Sequence, residues 1–574
     1  VRADWRHRVD GQLAELAAAR GAWATLPVPA RIEHLRVLSR NTAAQADRWV
    51  RAACSAKGLD LHSPLAGEEW SSGPWALLFA INSLMRTLAD IEETGTPRLR
   101  RGSVHTRPDG QVVVDVFPQT GWDRLLLSGV RAQVWMQPGV TEGSLPGTMA
   151  VAYKQSDRRG GVALVLGAGN VASIPPLDVL YKMFAEDRVC LLKMNPVNEY
   201  LGPIFEDIFA ELVAASFVRV TYGGAEVGEY LTQHELVDEI HVTGSARTHD
   251  AIVFGTGQDG ADRKARNAPL SAKRVTSELG NVSPTIVVPG PWSDRDIRFQ
   301  AAHIATQKLH NGGFNCIAAQ VLVTKRGWEP GGRLIDEVAR VMEEAPRRPA
   351  YYPGAEQRQR AFADANPTAR VLGGDDRAPV TMIAGLDSTD SAHSCFRDEA
   401  FASVLTATSL DGAGIDDFLE RAVDFCNDAL WGTLGANIII HPATARRHAA
   451  ALDHAIAKLR YGCIGVNAWS GVGFLLPQAS WGAYPGHSAD DIQSGTGVVH
   501  NSLLFDLPQK SVVHAPFFPY PRTLAHGRTS MLPVPPWFVT HRRAHLVTER
   551  LTRFEATRAI RHVPGIFAAA LRSR

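Results

Sequence analysis

The chain has 574 residues, 45% of them hydrophobic and 21% charged, with 60 Lys and Arg against 59 Asp and Glu for a formal net charge of +1. That length exceeds one ordinary core and implies two or three domains. The composition is that of a soluble globular protein, and the balanced charge provides no global field for nucleic acid or an acidic membrane. Six cysteines, Cys54, Cys190, Cys316, Cys395, Cys426 and Cys463, are scattered without a C-x-x-C pair. This argues against a disulfide framework or a zinc site and leads to the expectation of a reducing cytoplasm. The opening residues Val1 to Arg6 are polar and contain no signal-peptide core, and no run of eighteen apolar residues predicts a membrane-spanning helix.

Taken in chain order, the first 125 or so residues read as mainly helical. Ala30 to Lys57 repeats apolar positions at helical spacing through Ile32, Leu35, Leu38 and Trp49. Val104 to Val116 changes to alternation. Ala132–Met136 and Thr148–Lys154 read as two further strands about a Pro/Gly-rich turn, a hairpin-like excursion. From residue 160 a βαβ pattern sets in: strand Gly161–Leu166, helix Pro175–Glu186, strand Val189–Lys193, helix Leu201–Ser216, strands Phe217–Tyr222 and Glu239–Val242. Continuous apolar strands alternating with helices predict an α/β fold with a parallel sheet covered on both faces, and a ligand crevice beyond the strands' carboxyl ends. A second alternating unit begins near Pro284, with strand Thr285–Val288, helix Asp294–Leu309, strand Ala318–Val323 and helix Arg333–Glu344. Val512–Pro536 reads as an ordered extended arm rich in proline and aromatics. The tail from His541 carries eight arginines against two glutamates, interleaved with Leu546, Leu551, Phe554 and Ile560.

Three segments carry residue types suited to chemistry. Cys316 follows a predicted helix through the tight run Asn311-Gly312-Gly313-Phe314-Asn315, where glycines let the backbone turn and approach a ligand. A cysteine taken at random is more often a small buried apolar residue than a nucleophile. Glu278 closes a strand-like run broken by Gly280. An isolated strand-end carboxylate is usually solvated, but beside a nucleophile it can activate water. Gly167-Ala168-Gly169-Asn170 ends the first βαβ strand without the full G-x-G-x-x-G signature. Asn170 suits a turn, an N-cap or an oxyanion donor. His310, His393 and His487 read as polar loop or supporting residues, without metal-ligand spacing.

Read together, these segments resemble the aldehyde dehydrogenase superfamily over most of residues 30–510. Leu166 to Asn170 resembles the strand end carrying the oxyanion asparagine. Leu191 to Pro196 resembles the strand with the cofactor-binding Lys193. Val242-Thr243-Gly244-Ser245 matches the TGS turn at the pyrophosphate, and Ser277 to Pro284 the ELGG-x-SP motif with its glutamate. Asn311 to Cys316 matches the N-x-G-Q-x-C loop, and Glu399-Ala400-Phe401 the E-x-F element whose glutamate holds the nicotinamide ribose. Six such matches in order are far more specific than any one.

The resemblance implies a parallel-sheet cofactor domain (1–128 and 157–283), an α/β catalytic domain (284–504) and small β oligomerisation strands (129–156 and 505–518), followed by a C-terminal extension (519–574). It implies Cys316 as nucleophile, Glu278 as base and Asn170 as oxyanion donor. Lys193, Gly244, Ser245, Leu279, Glu399 and Phe401 would hold NAD or NADP, and a homodimer or homotetramer is expected from strand-edge pairing. Glu278 favours hydrolysis over transfer of the acyl group to coenzyme A, which stays open as an alternative, as does a catalytically impaired binding protein.

Five positions depart from the family pattern: Phe314 for glutamine, Asn281 for the second glycine of ELGG, His249 for a glycine in a helix turn expected at the cofactor, Gly169 for tryptophan, and Pro196 where NAD-preferring members often carry glutamate. Pro196 leaves NAD and NADP both open. Trp469, Phe474 and Leu475 near the expected funnel suggest an apolar aldehyde. The basic tail either packs on its own subunit or touches an anionic membrane or the funnel.

Overall fold

The computed structural model describes residues 5–373, 379–526 and 530–573. The four opening residues and part of the Val512–Pro536 arm (527–529) lie outside these. Four helices begin the chain: α1 (Trp5–Ala24), α2 (Val28–Ala56), α3 (Ala66–Trp70) and α4 (Ala76–Thr94). Leu35, Leu38, Trp49 and Ala53 form the buried face of α2. Arg31 on α2 is fully buried and pairs with Asp187 at 2.7 Å, tying the helical part to the sheet behind it. A buried charge requires such a partner. Three antiparallel strands follow, β1 (Val104–Thr106), β2 (Val112–Phe117) and β3 (Arg131–Met136).

The next unit is the expected βαβ domain: β4 (Gly161–Leu166), α5 (Ile174–Glu186), β5 (Arg188–Lys193), β6 (Val218–Thr221), β7 (Glu239–Thr243), α6 (Ala246–Val253) and β8 (Arg274–Glu278). The predicted helix Leu201–Ser216 is broken into Gly202–Ile208 and Ala210–Ala214, because Phe209 departs from helical geometry at ψ 10°. The second unit contains β9 (Ser283–Val287), α7 (Asp294–Leu309), β10 (Ala319–Lys325), α8 (Glu329–Glu344), β11 (Ala369–Leu372), β12 (Val380–Leu386), β13 (Val404–Leu410), β14 (Gly435–Ile439) and β15 (Cys463–Val466). A capping box between Ser293 and Asp296 starts α7 where the sequence predicts it. Then come β16 (Gly495–Thr496), β17 (Pro508–His514), α9 (Ala544–Thr557) and α10 (Val563–Ala570).

The strands form two sheets. A six-stranded sheet runs β16-β8-β7-β4-β5-β6, parallel except for β16. An eleven-stranded sheet runs β1-β2-β3-β17-β15-β14-β9-β10-β13-β12-β11. Glu278 ends β8 and Ser283 begins β9, so the chain crosses between sheets within the ELG segment.

Two expectations need correction. Thr148–Lys154 is not a strand: the chain makes a 3-10 turn over Leu145–Thr148 and a short helix over Val151–Lys154, with Ala150 at φ +51° between them. β3 already has β2 on one side and β17 on the other, so both edges are taken. For the same reason, β3 and β17 are interior strands of the chain's own sheet and not free edges awaiting a partner. The sheet ends instead on β1 and β11.

The tail packs on its own chain. Val547, Leu551 and Phe554 of α9 and Ile566, Ala569 and Ala570 of α10 lie in one buried cluster with Trp75, Phe79 and Trp481. The apolar face formed by these residues is committed to the interior, while Ile560 and Leu571 of the same tail are exposed. Among the described residues, no helix is long and apolar enough to cross a membrane.

Candidate active site

A cleft of about 1120 Å³ lies beyond the carboxyl ends of the six-stranded sheet. Strand ends supply its floor: Gly167 to Asn170 after β4, Lys193 at the end of β5, and Thr243-Gly244-Ser245 after β7. The Gly244 N–H donates to the Glu278 carbonyl at 3.0 Å, fixing the turn against β8. Ser245 then caps α6, its hydroxyl accepting from the Thr248 N–H at 3.2 Å. A helix N-terminus facing a cleft directs unpaired N–H groups and a partial positive charge at an anion.

Lys193 is buried and lines this cleft, and its ammonium makes no hydrogen bond among the described residues. Burial lowers its pKa, with Glu199 acting against the shift. Glu399 enters the cleft from the catalytic unit. A Cβ on Gly280 would lie 1.9 Å from the Glu399 carboxyl, so only glycine leaves it room. The Asn281 N–H donates to Glu399 at 3.3 Å. Desolvation pushes the Glu399 carboxyl up to about 8 despite that bond and the nearby Lys308 and Arg358. Arg358 donates to the carbonyls of Ala400 and Phe401, both at 3.1 Å, holding this segment in place. The helix terminus, the ammonium without a hydrogen bond and the carboxyl seated over glycine are groups that could hold a dinucleotide.

Cys316 lines the same cleft. The turn before it is left-handed at three successive residues, Asn311 (φ +54°), Gly312 (φ +66°) and Gly313 (φ +80°). A Cβ on Gly313 would meet the Ala402 carbonyl oxygen at 2.6 Å. The Cys316 thiol lies 3.4 Å from Glu278 Oε1 and donates to it. The other five cysteines are buried, whereas Cys316 is half-buried and lines the cleft. Burial holds its pKa well above the ordinary thiol value, reinforced by Glu278 and Glu399. Glu278 is itself raised to about 7, first by burial and then by the Asp178 carboxylate. Its Oε2 has no partner among the described residues. A carboxyl at that value can hold or take up a proton near neutrality, as a general base must.

Beneath Glu278 runs a buried polar row. Thr243 and His241 on β7 pair with Glu278 and Thr276 on β8. Asp178 of α5 covers them, accepting from the Thr243 hydroxyl at 3.0 Å and lying 3.5 Å from His241 Nε2. Asn170 sits across from the Cys316 loop, its amide donating to the Phe314 carbonyl at 2.7 Å.

Of the nine residues expected at the site, Asn170, Lys193, Gly244, Ser245, Glu278, Cys316, Glu399 and Phe401 line one cleft. Leu279 is the exception: it is fully buried, its N–H bonded to Ser494, while Glu278 and Gly280 on either side face the cleft. His249 is also corrected. It is buried beside Asp250 and does not line this cleft.

The remaining departures have local compensations. Phe314 packs among Tyr351, Tyr352 and Phe401 with ring centroids 5.1, 5.8 and 6.0 Å away. The Asn281 amide donates to Ser283 Oγ at 2.9 Å and the Gly435 carbonyl at 2.7 Å. A Cβ on Gly169 would come within 2.7 Å of Asn195 Oδ1, so Asn195 occupies space beside the small residue.

His310 packs on Trp469, His393 caps a short helix, and His487 bonds Thr433. Trp469, Phe474 and Leu475 belong with Cys316 to the apolar cluster that also holds the tail. Sequence reasoning missed Asp178, Arg358, Tyr351 and Tyr352. The paired tyrosines of 351–352 after a Pro/Arg run were the one local signal.

A cysteine thiol beside a buried carboxyl, in a cleft at the carboxyl ends of a parallel sheet, is an arrangement that a covalent oxidoreductase site requires. The family model described as "Aldehyde dehydrogenase family" matches residues 184–477, and this chain belongs to that family. DhaS of Bacillus subtilis, which carries an aldehyde dehydrogenase name, is 26% identical over 347 residues, 58% of this chain and 61% of that protein. Aminoacetaldehyde dehydrogenase of Pseudomonas aeruginosa is 26% identical over 278 residues, 45% of this chain and 49% of that one. The match thus spans about half to three-fifths of these curated relatives. The solved structure of NADP-dependent glyceraldehyde-3-phosphate dehydrogenase from Bacillus halodurans, complexed with NADP, superposes with TM-score 0.59 and 16% identity over 89% of this chain and 91% of that one. Likenesses of this kind establish the aldehyde-dehydrogenase fold.

Proposed function

We propose that the protein oxidises an aldehyde to a carboxylic acid with NAD(P)+ through a thioester on Cys316, which Glu278 helps water to hydrolyse. The observation that carries this reading is the 3.4 Å approach of the Cys316 thiol to the Glu278 carboxyl, in a cleft edged by Lys193, Ser245 and Glu399. Glu278 takes the thiol proton as sulfur bonds to the carbonyl carbon. One Asn170 amide hydrogen is held by Phe314, and the other serves the oxyanion. A preorganised donor of this kind contributes about 3–4 kcal/mol to such a step. The bound dinucleotide supplies the hydride acceptor that turns the adduct into a thioester. Glu278 passes the first proton to solvent and then accepts one from water attacking the acyl carbon; as the C–S bond breaks it returns that proton to the Cys316 thiolate, and the acid leaves.

Lys193, the α6 terminus and Glu399 are the groups we assign to the dinucleotide. Position 196 is an exposed proline with no carboxylate to repel a 2′-phosphate, which supports use of NADP as well as NAD. The apolar neighbourhood of Cys316 at Trp469, Phe474 and Leu475 favours an apolar aldehyde. The six free cysteines suit the reducing cytoplasm.

An aldehyde panel with each dinucleotide, beside Cys316→Ala, tests the reading. The expected result is activity with both dinucleotides, independent of coenzyme A and lost in the variant. Activity that survives in Cys316→Ala overturns it. Strict NAD use overturns only the cofactor part.

A further inference from the structure

The Asn170 carbonyl accepts from three donors: the Tyr351 hydroxyl at 3.0 Å, the Asn311 amide at 3.1 Å and the Lys57 ammonium at 3.3 Å. Asn311 is the first left-handed residue of the nucleophile turn. Its N–H donates to Glu68 at 2.9 Å, and its Oδ1 accepts from Arg348 and Tyr351, both at 3.0 Å. Its amide also reaches the Phe314 carbonyl at 3.3 Å. Asn170 and Asn311 are thus bonded to each other and to one surrounding frame.

That frame is ionic and buried. Lys57 pairs with Glu69 at 2.9 Å, and Arg348 pairs with Glu69 at 3.2 Å and with Glu68. The four side chains, two cations and two anions, are at most 9% exposed. Burial disfavours the charged Glu69, yet Lys57 and Arg348 outweigh it and hold its pKa below the ordinary value. A buried ion cluster adds little stability over well-packed apolar residues, but it fixes geometry because each charge must keep its partners. A non-glycine residue at positive φ likewise persists only where its surroundings hold it.

Lys57 follows α2, Glu68 and Glu69 lie on α3, and Arg348 and Tyr351 follow α8. The frame therefore draws on the helical N-terminal part, outside the residues that match the family model.

We infer that Lys57, Glu68, Glu69, Arg348 and Tyr351 are positioning residues that aim the Asn170 amide at the oxyanion formed on Cys316. They act through the Asn170 carbonyl and the Asn311 turn, and they touch no reacting atom. This rests on the assignment of Cys316 and Asn170 under the proposed function.

The test separates a step that forms an oxyanion from one that does not. Acylation of Cys316 by p-nitrophenyl acetate without dinucleotide builds a tetrahedral oxyanion and releases p-nitrophenolate. Alkylation of the same thiol by iodoacetamide displaces iodide and builds none. Tyr351→Phe deletes one donor and keeps the ring against Phe314. It should slow acylation, and kcat for an aldehyde, roughly three- to tenfold, the effect of one hydrogen bond. Alkylation, KM and the melting temperature should stay within about twofold or a few degrees. Arg348→Lys should retain more acylation than Arg348→Met.

Unchanged acylation in Tyr351→Phe, or equal losses of acylation and alkylation, overturns the inference. If Arg348→Met does not fold, Tyr351→Phe still decides. Ester hydrolysis that persists in Cys316→Ala would refute the proposed nucleophile itself, an outcome separate from any effect at Tyr351.

Discussion

Glu278 is a buried carboxyl on a buried polar row, and its titration belongs to the residue scale. As the proposed base it acts only when unprotonated, and burial with Asp178 raises its value to about 7. Turnover limited by thioester hydrolysis should therefore rise with pH and level off above about 7. Asp178→Asn removes the like charge while burial persists, so the acid limb should move to lower pH. Glu278→Gln should remove the limb and slow hydrolysis by about 10²–10⁴. A pH–kcat profile of the three proteins checks this. An acid limb that stays in place in Asp178→Asn would show that Asp178 does not tune the base. The Cys316 thiol also titrates high, so a proton acceptor at 3.4 Å matters for the first step as well as the last.

At the scale of elements, the nucleophile turn and α6 make opposite demands on sequence. The turn needs glycine, because Gly313 is at φ +80° and against the Ala402 carbonyl. Gly313→Ala should cost on the order of 2–3 kcal/mol from left-handed strain and the clash. The check is a denaturant melt, with loss of activity exceeding loss of fold at low denaturant. The helix needs a cap: Ser245→Ala should cost about 1 kcal/mol at α6 and weaken dinucleotide binding, which calorimetry reads directly. Elements of this kind were legible in sequence where a local signal defined them. The apolar run Gly161–Leu166 is β4, and the helix read over Asp294–Leu309 is α7. Thr148–Lys154 misled because its alternation satisfies a strand pattern while both edges of β3 are already paired. Sequence alternation says which face is apolar and nothing about whether a partner edge is vacant.

At the scale of the molecule, the site is assembled from parts distant in sequence. Cys316, Glu278, Asn170, Lys193 and Glu399 line one cleft, and each sits in a short motif visible in the sequence. Lys57, Glu69 and Arg348 sit in no motif; Lys57 meets Asn311 across 254 residues, and only the fold shows that they converge. The tail is part of the same body, since Phe554 is fully buried, edge-on to Trp122 at 5.2 Å, in the apolar cluster that reaches Cys316. Phe554→Ala should cost about 3–5 kcal/mol. A melting-temperature shift within a degree of the parent would show that α9 is not part of the core.

The most direct test of the central claim is intact-protein and peptide mass spectrometry of Glu278→Gln mixed with an apolar aldehyde and NAD(P)+. Acylation is slowed in this variant but hydrolysis is slowed more, so the expected product is an acyl adduct on the peptide containing Cys316, heavier by the aldehyde less two hydrogen atoms, formed with one equivalent of reduced dinucleotide. Reduced dinucleotide produced with no adduct on Cys316, or an adduct on another residue, would contradict it.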